Sequence, residues 1–213
     1  MNIIDISMGI YPDMQVYKNL TDKRPVIRVT RDFSIGSTYE SCITMDMHTG
    51  THIDAPRHMS AEGGTIGSVP LQKFIAKCVV IDLSRFSGGI TASELMACNI
   101  PTGYFVLLKT KNSVSNKFED SFVYLEESGA RFLKEKGIIG VGIDSLGIER
   151  SQPGHPTHKL LLDSGITILE GLRLKHVEEG EYTLIALPLK INEAEASPAR
   201  AILLDGFFQA WPD

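Results

Sequence analysis

The sequence predicts a mixed fold of helices and strands, α/β or α+β, in one domain spanning residues 1–213. Three observations carry that expectation. The chain has 213 residues and 43% hydrophobic content, enough for one substantial core. Segments rich in β-branched and aromatic residues recur along it, several too continuously apolar to face water on either side. Stretches of helical spacing with recognisable caps stand between them. No internal repeat, low-complexity tract or linker marks a second domain.

Taken in order, strands are expected at Pro25 to Phe33 (PVIRVTRDF), Tyr39 to His48 (YESCITMDMH), Lys77 to Leu83 (KCVVIDL) and Tyr104 to Thr110 (YFVLLKT). Two more are expected at Gly137 to Asp144 (GIIGVGID) and Glu181 to Ile191 (EYTLIALPLKI). A helix is expected in TASELMAC, where Thr91 and Glu94 have the spacing of a capping box. Another lies in SGARFLKEKG, which ends on a glycine suited to a C-cap. A third begins at Pro156, a favoured first helical position, and runs to Gly165 before ITILEGL returns to strand.

Composition excludes several function classes. The net charge is −5 with no basic stripe, so no nucleic-acid partner is expected. CVVIDL is far too short to span a bilayer, and the start MNIIDISMGI has no signal-peptide pattern, so the expected location is cytoplasmic, away from any membrane. Cys42, Cys78 and Cys98 are odd in number and widely spaced, which reads as reduced and mostly buried thiols.

The informative stretch is MDMHTGTHIDAPRHM, Met45 to Met59, which gathers His48, His52, Asp54 and His58. As a helix it is a poor fit, because Gly50, Pro56 and the β-branched Thr49, Thr51 and Ile53 all oppose it. As a strand, its period of two puts Thr44, Asp46, His48, Gly50, His52 and Asp54 on one face, with Ile43, Met45, Met47 and Ile53 on the other. A straight strand would hold His48 and His52 about 13 Å apart, too far to share an ion lying roughly 6 Å from each Cα. Gly50, midway, is where a bend could turn both imidazoles inward. The bland alternative is a set of hydrogen-bonded loop histidines, and the density of the cluster argues against it.

The string His48-Thr49-Gly50-Thr51-His52-Ile53-Asp54-Ala55-Pro56-Arg57-His58 resembles the H-x-G-T-H-x-D-x-P-x-H signature of the cyclase-like metal-dependent hydrolases, a family that includes bacterial kynurenine formamidase and isatin hydrolase. DIS near the start, IGSVPL, GVGIDS, ILEGL and the IALPLKI to SPARA region resemble further landmarks in family order. The resemblance implies a swivelling β/β/α fold and a homodimer or homotetramer whose neighbouring subunits help to close the pocket. It also implies that His48, His52 and Asp54 bind one metal, with Asp54 reaching a second metal held by His158 and Glu170, and that His58 stays free for proton transfer. Where kynurenine formamidases carry a substrate-stacking tryptophan before a proline, this chain has Tyr11-Pro12, which makes Tyr11 the expected substrate contact.

Imidazole and carboxylate ligands without thiolate suit zinc or manganese, and the carboxylate that the resemblance shares between two sites implies two ions per subunit. Such a metal generates hydroxide near neutral pH and polarises a carbonyl for attack, while a nearby histidine protonates the departing amine. The resemblance therefore implies a small-molecule amide substrate: an N-formyl aryl amine such as N-formylkynurenine, in tryptophan breakdown. Alternatives are hydrolysis of a cyclic amide or imide, a cyclisation, or a non-catalytic metal-binding protein whose donors are all consumed in ligation. Outside the signature, His155 reads as a loop residue and His176 as part of a solvated face, while Asp144 fits a pocket residue and a turn acceptor equally well.

Overall fold

A computed structural model describes residues 2–206. The first half of the chain forms β1 (Ile3–Asp5), β2 (Val26–Arg31), β3 (Glu40–Thr44), β4 (His52–Asp54), β5 (Ile75–Asp82), β6 (Gly89–Ile90), α1 (Ala92–Met96) and β7 (Phe105–Lys109). The second half forms β8 (Tyr124–Leu125), α2 (Glu127–Glu135), β9 (Gly140–Ile143), α3 (Pro156–Asp163), β10 (Thr167–Glu170), β11 (Gly180–Pro188) and β12 (Ala196–Asp205).

The main sheet runs β1-β12-β11-β5-β7-β9-β10-β4, and β4 also pairs with β12, so the sheet closes on itself as a barrel with β1 on its flank. Alternation sorts the side chains of the continuously apolar strands to two sides. Cys78, Val80, Phe105, Leu107, Leu169, Leu184 and Leu203 fill the barrel interior. Val79, Ile81, Val106, Leu108, Val141, Ile143 and Ile168 face outward and are covered by Leu95 of α1, Leu133 of α2 and Leu161 of α3. Both faces are buried, which is why these strands carry no polar alternation.

The helices stop and start where the sequence places their signals. Thr91 and Glu94 form the capping box of α1, and Thr91 Oγ1 accepts from the Ser93 N–H at 3.2 Å. Gly137 and Gly165 follow α2 and α3 with φ of 72° and 70°, the left-handed geometry that glycine adopts without a steric cost. No helix among the described residues is long and apolar enough to cross a membrane.

Three expectations are corrected. The span from Tyr39 to Asp54 is two strands in different sheets: β3 pairs with β2 as a separate hairpin, whereas β4 belongs to the barrel. The chain reverses between them through a turn at Met47–Thr51, so the two-residue alternation continues in sequence but not in space. The longest strand, β12, was not expected, because ASPARA offers few β-branched or aromatic residues. Cys42 on β3 is exposed; Cys78 is buried, Cys98 partly so, and all three are free thiols.

Candidate metal centre

Strand β4 lies between β10 and β12 with Ile53 in the barrel interior, so His52 and Asp54 both project from the outer face. The antiparallel register sets Glu170 directly opposite His52, on that same face. Helix α3 packs over it and brings His158 from its first turn. His48 returns from the turn before β4, and His58 ends a short 3-10 turn after it.

The turn is fixed by Gly50 and Gly171, whose φ values of 65° and 68° favour glycine. They touch closely enough that a Cβ on Gly171 would lie 2.1 Å from the Gly50 carbonyl oxygen. Thr51 ties the two segments together: its hydroxyl donates to the Gly171 carbonyl at 2.7 Å and accepts from the Met8 N–H at 2.7 Å. The His52 Nδ1–H donates to the Gly50 carbonyl at 2.9 Å, which leaves Nε2 facing the carboxylates.

The donors converge. Asp54 Oδ1 lies 3.1 Å from His48 Nδ1 and 3.7 Å from His52 Nε2, and Oδ2 lies 3.8 Å from His158 Nε2. Glu170 approaches His52 Nε2 at 3.1 Å and His158 Nε2 at 3.4 Å, while its Oε1 accepts the Ile148 N–H at 2.5 Å. The His48 ring is centred 5.0 Å from His52 and 4.3 Å from His58, and His58 stands 5.7 Å from His158. All six residues of the expected set other than Tyr11 therefore meet at one place. Their distances do not divide them as the resemblance implies: ligand atoms of His48, Asp54 and His58 form one compact trio, and those of His52, Asp54 and Glu170 another.

This arrangement fits a divalent cation. Among the described residues, His52 Nε2 and both Asp54 oxygens are buried without a well-formed hydrogen bond, a costly state that a bound cation relieves. Burial alone would lower the His52 pKa, but Glu170 and Asp54 outweigh it and raise it to about 9. His158 is likewise raised against burial, by Glu149, Glu170 and Asp54, to about 10. Burial would raise Glu170, yet His158 and His52 hold it well below the usual carboxylate range. The carboxylates therefore draw positive charge to this point, as protons or as metal.

His48, His52, His58, His158 and Glu170 line a cavity of about 560 Å³ whose wall also includes Tyr17, Lys18, Lys23, His155 and Glu149. In the single chain Tyr11 stands apart from this site. It is 48% exposed and does not line this cavity. The buried Met8 and Met14 anchor the chain on either side, so Ile10–Pro12 runs over the surface between them. The aromatic side chain in the wall is Tyr17, packed edge-on against Phe118 at 5.2 Å. His176 is exposed. His155 lines the cavity, with Nδ1 2.9 Å from Glu149 Oε1. Asp144 is buried and accepts from Thr110 and Ser113 in backbone and side chain, and it lines a second cavity of about 330 Å³. Its two readings are both realised. Glu149, Thr51 and Tyr17 are the site residues that motif reasoning missed; Thr51 stood inside the motif, and the other two carry no local signal.

A family model described as "Putative cyclase" matches residues 4–150. The chain belongs to the cyclase family. It is 32% identical over 208 residues to a kynurenine formamidase of Salinibacter ruber, covering 96% of this chain and 98% of that one. A kynurenine formamidase of Bacillus cereus is 35% identical over 202 residues, covering 94% and 96%. Among solved structures, a "potential metal-dependent hydrolase with cyclase activity" superposes with a TM-score of 0.88 at 46% identity, over 95% of this chain and 96% of that chain. Isatin hydrolase A from Labrenzia aggregata superposes with a TM-score of 0.83 at 26% identity, over 95% and 93%.

Proposed function

We propose that this chain, a metal-dependent hydrolase of amide bonds, acts on an N-formyl aryl amine such as N-formylkynurenine and releases formate and the free amine. The observation that carries the reading is the convergence of imidazole and carboxylate donors around the buried Asp54, whose oxygens accept no hydrogen bond, beside a cavity lined by His48, His52, His58, His158 and Glu170. It is supported by 32% and 35% identity to kynurenine formamidases along nearly the whole chain. The same reading makes the protein a cytoplasmic enzyme of tryptophan breakdown.

In this reading His48, His52 and Asp54 hold one ion, and Asp54 is shared with a second ion that His158 and Glu170 complete. Zinc is the proposed metal, two ions per subunit, with manganese the alternative, because both accept nitrogen and carboxylate donors without thiolate. When bound, the metal supplies an activated water and polarises the substrate carbonyl.

The protein's own groups handle position and protons. Burial pushes the His58 pKa below the ordinary imidazole value, partly countered by Asp54, so the ring is neutral and able to accept a proton near pH 7. His58 takes the proton of the attacking water and delivers it to the amide nitrogen as the C–N bond breaks, so that the amine departs neutral. Tyr17 is the proposed aromatic contact for the substrate ring in place of Tyr11. Subunit pairing as a homodimer or homotetramer belongs to the same reading, supported by the exposed β2–β3 hairpin beside the cavity.

The test is a hydrolysis screen of the zinc- or manganese-loaded protein against N-formylkynurenine, formyl anilides, isatin and cyclic imides. Fastest turnover is expected for the formyl aryl amines. A preference for isatin by orders of magnitude would support the second reading, a cyclic-amide hydrolase, which the likeness to isatin hydrolase A favours.

A further inference from the structure

We propose that Glu149 is a positioning residue for His158: its carboxylate fixes the imidazole with Nδ1 protonated and Nε2 turned toward Asp54 and Glu170. The inference rests on the reading of His158 as a metal ligand. Glu149 is buried on the segment after β9, and Oε1 lies 2.9 Å from His158 Nδ1. Nε2 of the same ring is the atom that faces Glu170 Oε1 at 3.4 Å and Asp54 Oδ2 at 3.8 Å. The two nitrogens are thus assigned opposite tasks.

The carboxylate is itself held. Oε2 accepts the Thr157 N–H at 2.9 Å and the Gln152 Nε2–H at 3.1 Å. Thr157 is the second residue of α3, and the residue preceding that helix, His155, provides no side-chain cap. Glu149 therefore caps α3 from a distance, with its negative charge at the helix end that favours it. The neighbouring Ile148 N–H donates to Glu170, so two consecutive residues hold both His158 and Glu170. His155 Nδ1 approaches the same Oε1 at 2.9 Å and completes the carboxylate's surroundings.

Oε1 lies within hydrogen-bonding distance of Nδ1 but off the axis of its N–H, and it is the carboxylate that this buried nitrogen faces. A carboxylate at Nδ1–H fixes the tautomer that leaves the Nε2 lone pair for a cation and makes that nitrogen more basic; its loss costs about 10- to 100-fold in metal affinity or activity. Glu149 also lines the cavity, on the His158 side, and lies outside the two trios of ligand atoms that share Asp54.

The experiment is zinc titration against a chromogenic chelator for wild type, Glu149→Gln, Glu149→Asp and His158→Ala, with circular dichroism of each metal-free protein. Glu149→Gln is expected to weaken by about 10- to 100-fold the same binding event that His158→Ala abolishes, and no other. Glu149→Asp keeps the charge but not the reach, and should lie between Gln and wild type. If Glu149→Gln does not fold, Glu149→Asp alone decides, and wild-type affinity in that variant overturns the proposal. Wild-type affinity in Glu149→Gln overturns it as well, as does an equal loss of all zinc binding, which would make Glu149 a general support of the fold. Undiminished zinc binding by His158→Ala would instead bring down the metal reading of His158, and the two failures are distinguishable.

Discussion

At the scale of the residue, the division of labour among neighbouring histidines is what kinetics can separate. His48, His52 and Asp54 sit on a signature of fixed spacing and were legible from it. Glu149 and Tyr17 were not, because their part depends on chain segments distant in sequence meeting in space. His58→Ala is expected to keep most of its metal yet to lose roughly 10²- to 10⁴-fold in turnover of substrates with poor amine leaving groups, and less with activated esters. His48→Ala and Asp54→Ala should lose metal and activity together. Metal analysis by mass spectrometry beside the kinetics distinguishes them, and a metal-free His58→Ala protein would move His58 into the ligand set, where its closeness to Asp54 and His48 also allows it to stand. For the substrate ring, Tyr17→Ala should raise KM several-fold for aryl amides, the scale of one aromatic contact, whereas Tyr11→Ala should leave it unaltered. The reverse pattern would restore Tyr11 to the pocket.

At the scale of the element, strands buried on both faces and helices with caps were readable, since local composition records burial and chain ends directly. The turn between β3 and β4 was readable only as a bend at Gly50, because alternation persists through it while the two strands go to different sheets. That turn is held by contact between backbones. A Cβ at Gly171 would press on the Gly50 carbonyl at 2.1 Å, and that carbonyl is the one that orients His52. Gly171→Ala is therefore expected to cost about 1–3 kcal/mol of stability from the left-handed backbone and the collision, and to weaken metal binding without removing a ligand. Gly50→Val should act in the same direction, since an added Cβ meets Met14 at 3.2 Å and φ is positive. Thermal unfolding and metal titration of both variants provide the check; unchanged metal affinity in a destabilised Gly171→Ala protein would uncouple the turn from the site.

At the scale of the whole molecule, two properties follow from how charge and apolar surface are distributed. In the metal-free protein His52 and His158 hold protons with pKa raised to about 9 and about 10, against 6.5 in the unfolded chain. Their contribution to stability is complete below about pH 6.5 and is lost as pH rises through those folded values. The heat stability of chelator-treated protein should accordingly fall across that alkaline range, and less so with metal bound in place of the protons; an unchanged Tm would remove these pairs from the stability of the fold. The second property is the β2–β3 hairpin, whose strands are exposed along their whole length and hold no place in the barrel. Register puts Ile27 opposite Ile43, with Val29 on the same face, and Phe33, Ile35 and Tyr39 lie exposed toward the tip. A two-stranded hairpin is marginal alone in water, and contiguous apolar exposure of this kind marks an interaction surface. Its ends lead directly into the cavity wall, through Leu20 and Lys23 before it and Asp46 and His48 after it. A second copy of the chain covering this hairpin would both bury the apolar face and steady those wall residues. Light scattering after size exclusion should show a dimer or tetramer for the wild type, and Val29→Glu or Ile43→Glu should shift it toward monomer with a raised KM. A wild-type monomer with full activity would separate the hairpin from the site and leave its apolar face to some other partner.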